Sequence, residues 1–153
     1  MIRMTRLADY GIVLLTLFAR ERARTTRSAR ELAAEAKLPL PTVSKLLKVL
    51  ARHGLLEAHR GVKGGFELAR APEAITVADI IGALDGPIGV TDCSTDEGCC
   101  DIERSCVVKR NWRKINQVVL DALKGITLAE MTRPLDVQAH AVERRRPILT
   151  EQP

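Results

Sequence analysis

The chain has 153 residues, a formal net charge of +5 and only four aromatic side chains (one Trp, one Tyr, two Phe), so its core must be aliphatic. That length suits one domain with an added oligomerisation element and is too short for two large cores. The apolar start MIRMTRLADYGIVLLTLFAR is interrupted by Asp9, closed by Arg20 and lacks a small-residue cleavage site, so it predicts neither a secretory leader nor a membrane span.

Charge is divided unevenly. Residues 1–70 carry a balance of +8 and residues 71–133 a balance of −3. A basic half joined to an acidic half predicts a reader of a polyanion attached to a sensor.

Leu7, Tyr10, Leu14, Leu17 and Phe18 recur at steps of three and four, predicting a first helix from about Thr5 to Arg22 with these residues on its apolar face. Ser28-Ala-Arg-Glu31 has the form of a capping box and opens a second helix that ends near Lys37. Leu38-Pro-Leu-Pro41 cannot continue it, because proline has no amide donor and biases its predecessor toward extended backbone. Pro41 suits the first position of a third helix, which runs to His53 before Gly54 stops it. Val43, Leu46, Leu47 and Leu50 share one side of that helix; Ser44, Lys45, Lys48 and Arg52 share the other. Helix, short turn and helix with a basic outer face is the helix-turn-helix arrangement.

Two short runs follow, Leu55–His59 and Phe66–Ala69, separated by Arg60-Gly-Val-Lys-Gly-Gly65. They predict a hairpin wing with a basic, glycine-rich tip. The expected DNA contacts are Pro41, Thr42, Ser44, Lys45, Lys48 and Arg52 on the third helix, with Arg60, Lys63 and Gly64 on the wing. Any one of these cations could simply keep a small domain solvated; the case rests on their grouping.

Thr76-Val-Ala-Asp79 opens a fourth helix that reaches about Leu84 before Asp85-Gly-Pro breaks it. From Val107 the period becomes helical again, and Val108, Trp112, Ile115, Val119 and Ala122 form a stripe suited to a partner helix, or else to their own domain. Thr127-Leu-Ala-Glu130 caps a last short helix, and residues 133–153 read as a disordered tail. The expected fold is mainly α with a small β-hairpin. A winged helix-turn-helix domain occupies residues 1–84, a cysteine-bearing loop 85–106, and a dimerisation helix with a short final helix 107–132.

All four cysteines fall within CSTDEGCCDIERSC, residues 93–106, a polar and acidic stretch where burial offers no reason for thiols. Cys-x2-Cys pairs that would favour zinc are absent, and a disulfide between the neighbours Cys99 and Cys100 would be strained. An iron-sulfur cluster tolerates varied loop lengths and fits the spacing of Cys93, Cys100 and Cys106. Zinc and redox-active thiols stay open as alternatives. Thiols gathered this way, without signs of export, predict a reducing cytoplasm. A thiol oxidoreductase is disfavoured, because His53, His59 and His140 lie outside the stretch and no Cys-x-x-Cys pair exists. The chain is expected not to be an enzyme.

The segments TRLADYGIVLL, RGVKGGFEL, ITVADIIGALDG and ITLAEM, with cysteines preceding a helix that carries Trp112, resemble the bacterial iron-sulfur transcription regulators typified by IscR and NsrR. The resemblance spans residues 1 to about 132 and is nearest to the branch that controls SUF-type cluster assembly. It implies a winged-helix homodimer with crossing long helices, an iron-sulfur cluster of two or four irons in each protomer, an operator in double-stranded DNA, and the cluster-assembly machinery as donor. Counting back from Trp112, Cys106, Cys100 and Cys93 match the family's third, second and first cysteines, with one extra residue between Cys93 and Cys100. Cys99 is then surplus, either an alternative ligand or a resolving thiol. The histidine of IscR-like members is replaced by Lys109, which cannot ligate iron while protonated. Asp9 matches the aspartate that reaches the partner's cluster in NsrR-like members; Asp101, Glu103 and Cys99 are its rivals, and a helix-dipole role is the plainer reading.

Overall fold

The computed structural model describes residues 4–21, 25–62, 64–91 and 106–133. Lys63, Cys93, Cys99, Cys100, Asp101, Glu103, His140 and the tail from residue 134 lie outside the described residues.

Helix α1 spans Arg6–Ala19, and Thr5 caps it by accepting from the Ala8 amide. Its buried face is Ala8, Gly11, Ile12, Leu14, Leu15, Leu17 and Phe18. The expected apolar face is corrected at one end: Leu7 is exposed and Tyr10 half-buried, because the inward-facing row at that end runs through Ala8, Gly11 and Ile12. α1 packs across α4, Val77–Asp85, and Gly11 lets the two approach closely, since a Cβ there would meet the Leu84 side chain.

Helix α2, Ala29–Ala36, begins with the Ser28–Glu31 capping box. It closes with Lys37 in the left-handed region at φ 54°, where the Leu38 amide bonds the Ala33 carbonyl at 3.1 Å and the Lys37 amide the Ala34 carbonyl at 3.4 Å. That pair of bonds is a Schellman closure and turns the chain into α3 before either proline acts. Helix α3 spans Leu40–Arg52. It starts one residue earlier than Pro41 would suggest, because the Pro39 carbonyl already accepts the Val43 amide at 3.1 Å; a proline in the first turn has no missing partner.

Strands β1, Leu56–His59, and β2, Gly65–Leu68, form an antiparallel hairpin pairing Leu56 with Leu68 and Glu57 with Glu67. A third strand fragment joins it: Arg27 exchanges both backbone bonds with Phe66, at 2.8 and 2.9 Å. The Arg27 guanidinium also bonds Glu35 and meets Glu21 at 3.2 Å. The wing is thus fastened to the α1–α2 connection.

Helix α5 spans Lys109–Lys124 and α6 Leu128–Met131. The chain between them returns to the core, where Val77 bonds Ile126 at 2.9 Å and Leu128 bonds Ile75 at 2.8 Å. Leu128 is fully buried in the same aliphatic cluster as Leu14, Leu47 and Ile80. Truncating such a side chain typically costs about 2–5 kcal/mol, so the far end of α5 is held firmly.

Candidate nucleic-acid interface and the ends of the cysteine stretch

The faces of α3 divide as the sequence predicts. Val43, Leu46, Leu47 and Leu50 are buried, whereas Pro41, Lys45, Lys48 and Arg52 are exposed and Thr42 and Ser44 half-buried. No helix-dipole carboxylate sits in its first turn, so the positive end of the helix is not neutralised locally. Sequence reasoning missed Leu40, which is exposed at the head of this helix beside Pro41. Its signal was available: an apolar residue between prolines with no partner in the inward row.

The hairpin brings Arg60 to its exposed tip, and Gly61 turns there with φ 109°. Gly64 is half-buried and donates to the Gly61 carbonyl at 2.9 Å; a Cβ on Gly64 would lie 2.5 Å from the His59 carbonyl oxygen. That glycine is required by the turn itself. The outward face of the strands is not basic, for Glu57, His59 and Glu67 lie together on it, with His59 Nε2 3.0 Å from a Glu67 carboxylate oxygen. Among the described residues of the hairpin, Arg60 at the tip is the basic side chain, and the strands behind it carry Glu57 and Glu67.

The α5 stripe is divided between two roles. Val119, together with Leu123 from outside the predicted stripe, turns toward Ile81 and Ile88 of its own domain, with Trp112 half-buried. Val108, Ile115 and Ala122 stay exposed, and Val118, absent from the predicted stripe, joins them at 64% exposure. Asn116 is 7% exposed and turned inward. Its side-chain oxygen accepts from the Val90 amide at 3.0 Å, and its nitrogen donates to the Ile88 carbonyl at 3.2 Å.

Of the expected ligand set, two residues can be placed. Cys106 is half-buried, outside any disulfide, and leads directly into α5. Asp9 is exposed on the first turn of α1, lining an open depression with Met4, Thr5 and Arg6.

Residues 4–134 match the family model Rrf2, described as iron-dependent transcriptional regulator. The chain belongs to the Rrf2 family. Among its relatives, the HTH-type transcriptional regulator IscR of Erwinia tasmaniensis is 28% identical over 135 residues, covering 88% of this chain and 81% of that protein. The solved structure of T. potens IscR superposes with a TM-score of 0.64 at 28% identity, covering 85% of each chain. CymR, the global cysteine regulator of B. subtilis, superposes with a TM-score of 0.68 at 25% identity, covering 86% of this chain and 97% of its own. As an Rrf2 member the protein is a DNA-binding transcriptional regulator with a winged-helix fold. No helix among the described residues is long and apolar enough to cross a membrane.

Proposed function

We propose that this protein is an iron-sulfur-responsive repressor that binds its operator as a homodimer and controls cluster-assembly or redox and nitrosative stress genes in the cytoplasm. The observation that carries this reading is the gathering of all four cysteines in one acidic stretch that feeds α5 of an Rrf2-family winged helix. Cys93, Cys100 and Cys106 would hold the cluster, with Asp9 of the partner subunit as fourth ligand and Cys99 as the alternative to Cys100. A cluster with one oxygen ligand supplies an iron open to oxidants or nitric oxide. The assembly machinery would supply the cluster.

The residues of the chain do the rest. Lys45, Lys48 and Arg52 grip phosphates and, with Ser44 and Thr42, meet base edges; Leu40 and Pro41 offer apolar contact to a thymine methyl. Arg60 and Lys63 serve the wing. The exposed Val108, Ile115 and Val118 are three large apolar side chains on one helix, the kind of surface that a second copy covers. Because two recognition helices must enter successive major grooves, small shifts in their spacing alter affinity strongly.

The test is anaerobic purification with iron and sulfide analysis, visible spectra and operator titration of loaded and unloaded protein, repeated for Asp9→Ala and Cys99→Ser. Equal operator affinity in both states, or no iron and sulfide after reconstitution, overturns it. A second reading, a thiol switch without a cluster, is favoured by the surplus Cys99 and by the similarity to CymR. It predicts colourless protein whose operator affinity follows thiol oxidation.

A further inference from the structure

The outward face of the hairpin carries three side chains of metal-binding type, drawn from both strands. Glu57 and His59 are two positions apart on β1, so the alternation of a strand puts them on the same face. Glu67 stands directly opposite Glu57 on β2, which makes it the diagonal neighbour of His59. One imidazole nitrogen and one oxygen from each carboxylate lie within 4.8 Å of one another. His59 Nε2 is 3.0 Å from Glu67 Oε1.

That grouping is costly without a cation. Like charges directly opposite each other on paired strands repel, and the register holds Glu57 against Glu67 so that neither can slide away. The Glu67 side chain is only 18% exposed, so water screens it less than it would an open carboxylate. Among the described residues no lysine or arginine pairs with either glutamate, although residues 1–70 hold the whole positive excess of the chain. The His59 imidazole answers Glu67 and leaves Glu57, among the described residues, without a partner of opposite charge.

One imidazole and two carboxylates are a donor set for a divalent first-row transition ion, since imidazole suits zinc, iron and nickel and carboxylate suits manganese. Ligand atoms about 2.1 Å from one ion and at right angles to each other stand about 3.0 Å apart. His59 Nε2 and Glu67 Oε1 already have that separation, so the ion would take the place of the proton they share. Glu57 is exposed, and rotation about its side-chain bonds closes the remaining distance. We propose that Glu57, His59 and Glu67 bind one divalent transition-metal ion, which bridges β1 to β2 and turns the two carboxylate charges behind Arg60 into a neutral centre. The site is separate in sequence from the cysteine stretch, and the proposal is independent of any cluster bound there.

Manganese(II) is the probe, because thiolates favour softer ions and because its unpaired electrons broaden nearby amide signals. The full-length protein is titrated as wild type, His59→Ala and Glu57→Gln; electron paramagnetic resonance counts the free ion and amide NMR locates the bound one. In the wild type the first ion bound should erase signals of residues 57–59 and 65–68. Each variant should bind it at least about 10–100-fold more weakly, the loss that even an outer-shell partner causes. With manganese at about 100 times its dissociation constant, exchange of the hairpin amides, read by mass spectrometry, should slow by about 100-fold in the wild type. No bound ion, broadening centred elsewhere, an affinity unchanged in both variants, or hairpin exchange that ignores the ion overturns the proposal. Should a variant fail to fold, the wild-type broadening map and exchange decide by themselves.

Discussion

The Thr5 hydroxyl serves two partners at once: it accepts from the Ala8 amide at 3.2 Å, capping α1, and donates to an Asp85 carboxylate oxygen at 2.6 Å. Eighty positions separate the two residues, so one side chain ties the start of α1, where Asp9 lies, to the end of α4, where the chain turns toward the cysteine stretch. Thr5→Val keeps the shape and removes both bonds. A loss of about 1–2 kcal/mol is expected, as for a helix cap, with Thr5→Ser close to wild type; the midpoint of urea unfolding measures it.

Gly65 is required by close approach. A Cβ there would lie 2.5 Å from the Arg27 carbonyl oxygen and 2.8 Å from its carbon, both of them backbone atoms that cannot turn aside. Gly65→Ala should destabilise by about 1–3 kcal/mol, as overpacking does, and detach the wing from Arg27. Gly82, with nothing within 4 Å of its Cβ position and a place inside α4, is the control. Gly82→Ala should stabilise by about 0.5–1 kcal/mol. Thermal melts and amide exchange at Arg27 and Phe66 distinguish the two.

Charge on α3 and charge on the hairpin give opposite predictions for operator binding. Lys45→Ala and Lys48→Ala each remove an exposed cation of α3, and each should weaken operator binding and reduce the slope of log affinity against log salt by about one. Glu67→Gln removes a carboxylate from the wing strands, where it stands directly opposite Glu57. It should strengthen binding by about threefold at low salt and less at high salt, since the repulsion is screened. Fluorescence anisotropy with labelled operator across a salt series reads all three.

The Glu31 carboxyl is held below its ordinary value near 4.5, first by the Ser28 backbone amide and then by the Ser28 hydroxyl, with the charge of Arg27 adding to them. Because the folded value is the lower one, the stabilisation is present above the ordinary value and is lost as pH falls through the depressed one. Glu31→Gln retains a side chain that can close the capping box but does not titrate. The thermal midpoint of wild type should therefore fall toward that of Glu31→Gln below about pH 4, and the two curves should run parallel above about pH 6.

Much of this molecule is written in short windows. The three capping boxes at Ser28, Thr76 and Thr127, the inward row of α3 and the glycine-rich turn of the wing each need only residues within four or five positions, and all form as the sequence predicts. The exposed basic side of α3 followed from the same local periodicity. What tertiary structure alone decided involves partners far apart in the chain. Period cannot say which flank of a helix meets its own domain, and so Leu7 and Val118 are exposed while Val119 and Asn116 turn inward. The backbone pairing of Arg27 with Phe66, the Thr5–Asp85 bond and the Asn116 anchor on Val90 span 39, 80 and 26 positions. A polar side chain shows only what it can donate and accept, and which distant amide arrives to meet it is settled when the aliphatic core closes and brings the elements together.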